Sequence, residues 1–201
     1  MPPPPYRCIL MDPPWNESGG GRIKRGADRH YPLMKARDMP AAILGSGVWR
    51  PAKDAHLYMW VTNNYLPKGL WLMEALGFTY KTNIVWLKSG RAGLGQYFRG
   101  RHELLLFGIR GRGKAAEVCT PRRDLTSAVV AERGRHSEKP ADSYALIEAR
   151  SAGPRIEFFA RRARPGWDAW GNEAPKADAS ASQEPTQGGD DHRSQGDMRS
   201  R

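Results

Sequence analysis

Very little in this chain can make a disulfide framework or a metal centre. Cysteine occurs twice in 201 residues, as Cys8 inside an apolar run and Cys119 shortly before Pro121. The histidines His30, His56, His102, His136 and His192 include no i, i+4 pair. Zinc-type spacing is therefore missing. No apolar run approaches the roughly 20 residues that cross a bilayer, and Met1 to Pro5 is not a signal peptide. These absences describe a reduced, cytoplasmic, metal-free protein. The chain also lacks Gly-x-Ser-x-Gly, so serine-hydrolase chemistry has no support. Gly108 to Ala115 nearly fits a phosphate loop, but Ala115 stands where a magnesium-binding Ser or Thr belongs. Gly90, Gly93, Gly95 and Gly100 have no strand-turn-helix frame and read as a flexible loop.

Acids are the other shortage. Twenty-one Asp and Glu face 32 Lys and Arg, for a net charge of +11. Residues 174–201 carry a net −1, so the remainder carries +12. A folded region this basic commonly meets phosphate backbones. The bland alternative is solubility alone. Two stretches concentrate the charge. Residues 16–37 hold six Lys or Arg against two acids, and residues 88–114 hold seven against Glu103.

What is present centres on Arg7-Cys8-Ile9-Leu10-Met11-Asp12-Pro13-Pro14-Trp15. A short apolar run bounded by proline reads as a buried strand. Asp12 would stand at its carboxyl end, where open α/β sheets place ligands. Pro13 and Pro14 fix the backbone and present carbonyls without competing N–H groups. Trp15 adds a flat apolar face with one donor. An acceptor-only acid, rigid carbonyls and a stacking plane suit a flat base carrying an exocyclic amine. Bases that undergo chemistry are usually flipped into such a pocket.

Further along, Asn16 to Pro32 is a Gly-rich loop in which Tyr31 either closes over a ligand or faces solvent. Met34 to Leu44 reads as one or two short helical turns. Strands are expected at His56–Val61, Tyr80–Leu87, His102–Ile109, Ala128–Ala131, Ile156–Phe159 and Trp167–Trp170. Leu66 to Leu76 has helical spacing with Pro67 in its first turn and Gly77 beyond it. A second helix runs to Arg150, with Pro140 in its first turn. Strands that alternate with helices make a mostly parallel sheet with helices on both faces the expected α/β architecture. The polar tail of residues 174–201 lacks the apolar residues to fold.

Asp12-Pro13-Pro14-Trp15 resembles the signature of the N6-adenine methyltransferase family typified by the catalytic subunit of the eukaryotic messenger-RNA methyltransferase. The blocks around Leu57–Asn63, Ile84–Lys88, His136–Pro140, Glu157–Arg161 and Trp167–Glu173 follow in the same order. The resemblance covers about residues 6–173 and is nearer to compact bacterial or phage members. It implies one Rossmann-like domain over 1–173, permuted so that the catalytic strand precedes the cofactor strand, and S-adenosylmethionine as cofactor. It implies that Asp12 and Pro13 engage the substrate amine and that Pro14 and Trp15 complete the catalytic motif. It places Tyr31, Asn63, Lys88 and Glu103 on the substrate side. Asp12, Ser137, Lys139, Phe159, Arg161, Asn172 and Glu173 would hold the cofactor. Taken alone, Phe159 reads equally as a core aromatic and Lys139 as a solvated helix-start lysine. Ala160 stands where the family turn often has Gly.

The expected partner is nucleic acid, DNA before RNA, gripped by the basic stretches 16–37 and 88–114. The subunit is expected to be a monomer or a homodimer, without membrane or metal. Two other readings are a catalytically silent nucleic-acid-binding partner of an active subunit, and an amine methyltransferase acting on cytosine or a protein amide.

Overall fold

The computed structural model describes residues 4–16, 34–93, 97–134 and 138–172. Its frame is a seven-stranded sheet. The strands are β1 (Tyr6–Met11), β2 (Pro51–Val61), β3 (Thr79–Lys88), β4 (His102–Arg110), β5 (Ala128–Ala131), β6 (Arg155–Phe158) and β7 (Asp168–Trp170). Their spatial order is β5-β3-β4-β2-β1-β6-β7. All neighbouring pairs are parallel except the two that β4 makes, with β2 and β3. The helices are α1 (Met39–Leu44), α2 (Leu66–Ala75) and α3 (Ala141–Arg150). This is the Rossmann-like α/β arrangement expected, with one reversed strand inside it.

Alternation along β1 explains why helices cover both faces. Ile9 and Met11 point into one core with Met39 and Ile43 of α1 and Leu72 and Met73 of α2. Cys8 and Leu10 point into the other with Ile147 of α3. All four β1 side chains are fully buried, the pattern of a central strand covered on both sides. Burying each of its Ile, Leu and Met side chains contributes about 1.5–3 kcal/mol. Burial also pushes the Cys8 thiol up to about 12, so Cys8 is a core residue and not a nucleophile. Helix α2 rides close on the sheet because β4 offers Gly108 beneath it. A Cβ there would lie 2.5 Å from the Met73 sulfur.

Three details differ from the sequence reading. First, β2 starts at Pro51, five residues early, since proline is tolerated at a strand's first position. Second, among the described residues no helix lies between β3 and β5. The Gly-, Arg- and Pro-rich connections there have no helical period, so the strict strand–helix alternation fails in that half. Third, Pro140 caps α3 instead of entering it. Its carbonyl accepts the Ser143 N–H at 3.0 Å and the Ser143 hydroxyl at 2.6 Å. The tail expected over 174–201 lies outside the described residues.

Candidate active site at the carboxyl edge of the sheet

Parallel strands bring their carboxyl ends to one edge, and the reversed β4 brings its start there too. The edge therefore collects Asp12 after β1, Lys88 at the end of β3, Glu103 near the start of β4, Lys139 ahead of α3 and Phe159 after β6. The four charged residues among them, with Arg161, meet as alternating charges. Arg161 Nη2 lies 3.5 Å from Asp12 Oδ2, and Lys139 Nζ lies 3.0 Å from Asp12 Oδ1. Lys139 also reaches Glu103 Oε2 at 3.4 Å, and Glu103 Oε1 pairs with Lys88. The side chains of Asp12, Lys88, Glu103 and Lys139 are only 11–16% exposed.

Partial burial makes these charges depend on one another. Burial alone would raise the Glu103 pKa, but Lys139 and Lys88 outweigh it and hold the carboxyl below its ordinary value. Burial would likewise lower Lys139, and Asp12 with Glu103 outweighs that and raises it. Lys139 is thus a fixed cation that cannot serve as a base. Its ammonium also lies 5.5 Å from the centre of the Trp60 ring.

The proline carbonyls are less bare than the sequence suggests. The Pro13 carbonyl accepts the Trp15 N–H at 2.8 Å, and the Pro14 carbonyl accepts the Met34 N–H at 2.9 Å. The first donor lies two residues downstream of its proline and the second twenty residues downstream. A carbonyl has two lone pairs, so one acceptor site per carbonyl stays open. Trp15 is 6% exposed, donates its indole N–H to the Trp60 carbonyl at 3.1 Å and stacks on Tyr65 with centroids 5.3 Å apart. It pins the acidic turn from the core side.

A cavity of about 330 Å³ opens beside Asp12, walled by Lys139, Tyr144, Glu157, Phe159 and Arg161. That volume falls in the lower part of the range for small-molecule sites, about 300–1,000 Å³. Phe159 is held at φ +62° directly after β6, a conformation rare for a bulky side chain and found mainly at functional turns. Because the positive φ falls on Phe159, Ala160 needs no glycine's freedom. The crowding is met instead by Gly171, where a Cβ would come within 2.9 Å of the Phe159 Cα. The Ala160 N–H donates to the Trp170 carbonyl at 3.0 Å, tying the turn to β7.

Glu157, Tyr144 and Arg164 are cavity residues to which the sequence assigned no role. Glu157 is 9% exposed on β6 and accepts the Tyr144 hydroxyl at 2.9 Å. Burial raises its pKa, more than the Tyr144 hydrogen bond lowers it. The Arg164 guanidinium carbon lies over the Tyr144 ring, 3.6 Å from its centre. The available signal was an acid at an inward position of an apolar strand, Arg155-Ile156-Glu157-Phe158.

The remaining predicted site residues have other placements. Asn63 is exposed on the 3-10 turn after β2 (Asn63–Tyr65), and Asn172 is exposed just past β7. Neither lines the cavity. Tyr31, Ser137 and Glu173 lie outside the described residues, as does most of the basic stretch 16–37. The second basic stretch is divided by β4. Lys88, Arg91, Arg99 and Arg101 stand at the site's edge, while Arg110, Arg112 and Lys114 fall at the opposite edge. Nine strand residues separate the groups by about 30 Å. The stretch is therefore not one continuous binding loop.

Comparison with known proteins agrees with this geometry. Over 199 residues the chain is 31% identical to the type II methyltransferase M.MunI of a Mycoplasma species, spanning 87% of this chain and 80% of that protein. It is 28% identical over 181 residues to the human N(6)-adenosine-methyltransferase catalytic subunit METTL3, covering 84% of this chain but 28% of METTL3. A Medicago truncatula protein named putative N(6)-adenosine-methyltransferase MT-A70-like matches in the same way, at 28% identity over 84% of this chain and 26% of its own length. The MT-A70 family model matches residues 6–173, from the first residue of β1 to just beyond β7. The chain therefore belongs to the MT-A70 family of methyltransferases.

Proposed function

We propose that the protein methylates the exocyclic N6 amine of adenine in nucleic acid, with DNA preferred to RNA, from S-adenosylmethionine. The observation that carries this reading is the pairing of Asp12 with Lys139 and Arg161 at the mouth of the 330 Å³ cavity. DNA is preferred because the relative spanned over 80% of its length is named a type II methyltransferase. The adenosine methyltransferases are matched over about a quarter of theirs.

The cavity's chemistry fits the cofactor. Lys139 and Arg161 offer cations to an amino-acid carboxylate, while Asp12 and Glu157 offer acceptors to an ammonium. Phe159 supplies an apolar face for the rest. When bound, S-adenosylmethionine supplies an electrophilic methyl group on sulfur.

The protein's part is orientation and charge. Each Asp12 oxygen already serves one cation and keeps further acceptor capacity for a substrate N–H. The open lone pair of the Pro13 carbonyl is a second acceptor. Two acceptors on one aromatic amine draw its nitrogen toward tetrahedral geometry and free its lone pair. Strong base catalysis is unnecessary, since the amine sheds its proton after gaining the methyl group. Lys139, held positive, fixes the direction of the Asp12 carboxylate and does not compete for that proton.

The test is to incubate the protein with radiolabelled S-adenosylmethionine and either duplex DNA or RNA, then digest to nucleosides and weigh the products. N6-methyladenine from DNA is expected. N4-methylcytosine, label confined to RNA, or no label with no cofactor binding by calorimetry would overturn the reading.

A further inference from the structure

The loop between β3 and β4 carries two aromatic side chains in solvent. Tyr97 is 90% exposed and Phe98 91%, whereas the other large exposed hydrophobics lie between 38% and 65%. The loop's neck is closed by hydrogen bonds. Lys88 N–H donates to the Arg101 carbonyl at 2.7 Å, and Gly93 N–H to the Gly100 carbonyl at 2.8 Å. The Arg133 guanidinium donates to the Gly100 carbonyl at 3.4 Å. Gly93 leaves room for it, since a Cβ there would come within 2.7 Å of Arg133 Nη2.

The neck is thus pinned at Lys88, Gly93, Gly100 and Arg101. Its base is also the active site, because Lys88 and Glu103 at the two ends of the loop belong to the charge chain that reaches Asp12. Arg91, Arg99 and Arg101 share the loop with the rings, Arg133 binds its neck, and each of the four is exposed. Flat apolar faces set among guanidinium groups match stacked bases flanked by phosphates. An apolar partner protein would not call for that charge.

From this we propose that Tyr97 and Phe98 form a stacking wedge that enters the duplex where the target adenine leaves it. The inference rests on the adenine-in-DNA reading and assigns that site its opening device. A base withdrawn from a duplex leaves an unstacked step, and inserted apolar side chains are a general way to fill one. The loop that carries the pair starts from Lys88 and returns to Glu103, and both belong to the charge chain that ends on Asp12.

The wedge matters only when the adenine begins paired, and this makes it testable. Wild type, Tyr97→Ala, Phe98→Ala and the double variant are assayed on native bacterial genomic DNA and on the same DNA after heat denaturation. The double variant should lose at least tenfold in rate on the duplex and stay within threefold of wild type on denatured DNA. Equal loss on both forms, or no loss on the duplex, would overturn the proposal. So would a change in sedimentation from dimer to monomer in the double variant with duplex activity intact, which would give the rings to a second copy of the chain. A readout independent of methyl transfer is the emission added by Phe98→Trp over wild type. Added duplex should quench it by stacking, even if no methyl transfer is detected. Unquenched emission with bound duplex, measured by anisotropy of labelled DNA, would sink the wedge and leave the adenine reading standing.

Discussion

The two ends of the sheet hold buried polar networks built on opposite principles. At the carboxyl edge, Lys88, Glu103, Lys139, Asp12 and Arg161 alternate in sign, and Glu103, Lys139 and Asp12 each bridge two oppositely charged partners. Below it the network is neutral. Tyr58 donates its hydroxyl proton to Ser151 Oγ at 2.7 Å, Ser151 donates to His56 Nδ1 at 2.7 Å, and His56 Nε2–H donates to the Gly113 carbonyl at 2.6 Å. The carbonyl can only accept, which fixes the tautomer and the direction of every proton in the chain. His56 and Ser151 are fully buried. Every proton in the neutral network is already committed to a partner within it. The charged one keeps lone pairs and cations beside a cavity, so it can exchange partners with a ligand. Stability and function should therefore separate between the two ends.

The largest effect on stability is expected at Lys139. Lys139→Met should reduce cofactor affinity at least a hundredfold by calorimetry. It should also cost about 3 kcal/mol in denaturant unfolding, because Asp12 and Glu103 lose a buried cation. At the other end, His56→Ala should cost about 2–3 kcal/mol, through an unsatisfied Ser151 and Gly113 and the space left behind. Its turnover, measured below the lowered melting temperature, should stay within twofold of wild type. A His56 variant that melts normally, or loses activity while folded, would erase the contrast.

Acid should loosen the neutral network first. Burial holds His56 below its usual 6.5, against the Gly113 carbonyl that favours protonation. Its contribution is fully present above 6.5 and is lost as pH falls through the lower folded value. Glu103, held below its usual 4.5 by Lys139 and Lys88 despite burial, contributes above 4.5 and is lost only at still lower pH. Unfolding free energy measured from pH 7 downward should fall in two stages, and His56→Gln should remove the first.

Smaller effects sharpen the comparison further. Arg99→Glu, at the site's edge, should weaken DNA binding about fivefold at moderate salt. Lys114→Glu, at the far edge, should change it by less than twofold in the same titration. Tyr144→Phe, which removes one hydrogen bond to Glu157, should cost about 1 kcal/mol of stability.

The charged end was more legible in the sequence than the neutral one, for a physical reason. Asp12, Lys88, Lys139 and Phe159 stand where an apolar run stops or a helix begins, so parallel strands carry them to a common edge. His56, Ser151 and Gly113 read as ordinary residues, because only tertiary contact makes a relay of them. Glu157 was hidden inside a strand for the same reason. The direction of β4 left no mark on its composition, and that reversal is what splits the 88–114 basic stretch between two edges. The proline carbonyls were half read, since rigidity follows from the sequence but the Trp15 and Met34 donors that fold back do not.

The most direct test of the account is the rate of methyl transfer to adenine-containing DNA by Asp12→Asn, with cofactor binding and unfolding followed in the same preparation. Asparagine keeps the shape, presents one amide donor in place of an acceptor and removes the charge. The account predicts that transfer falls by about 10³-fold while the protein stays folded and still binds S-adenosylmethionine. Wild-type turnover by that variant would contradict it.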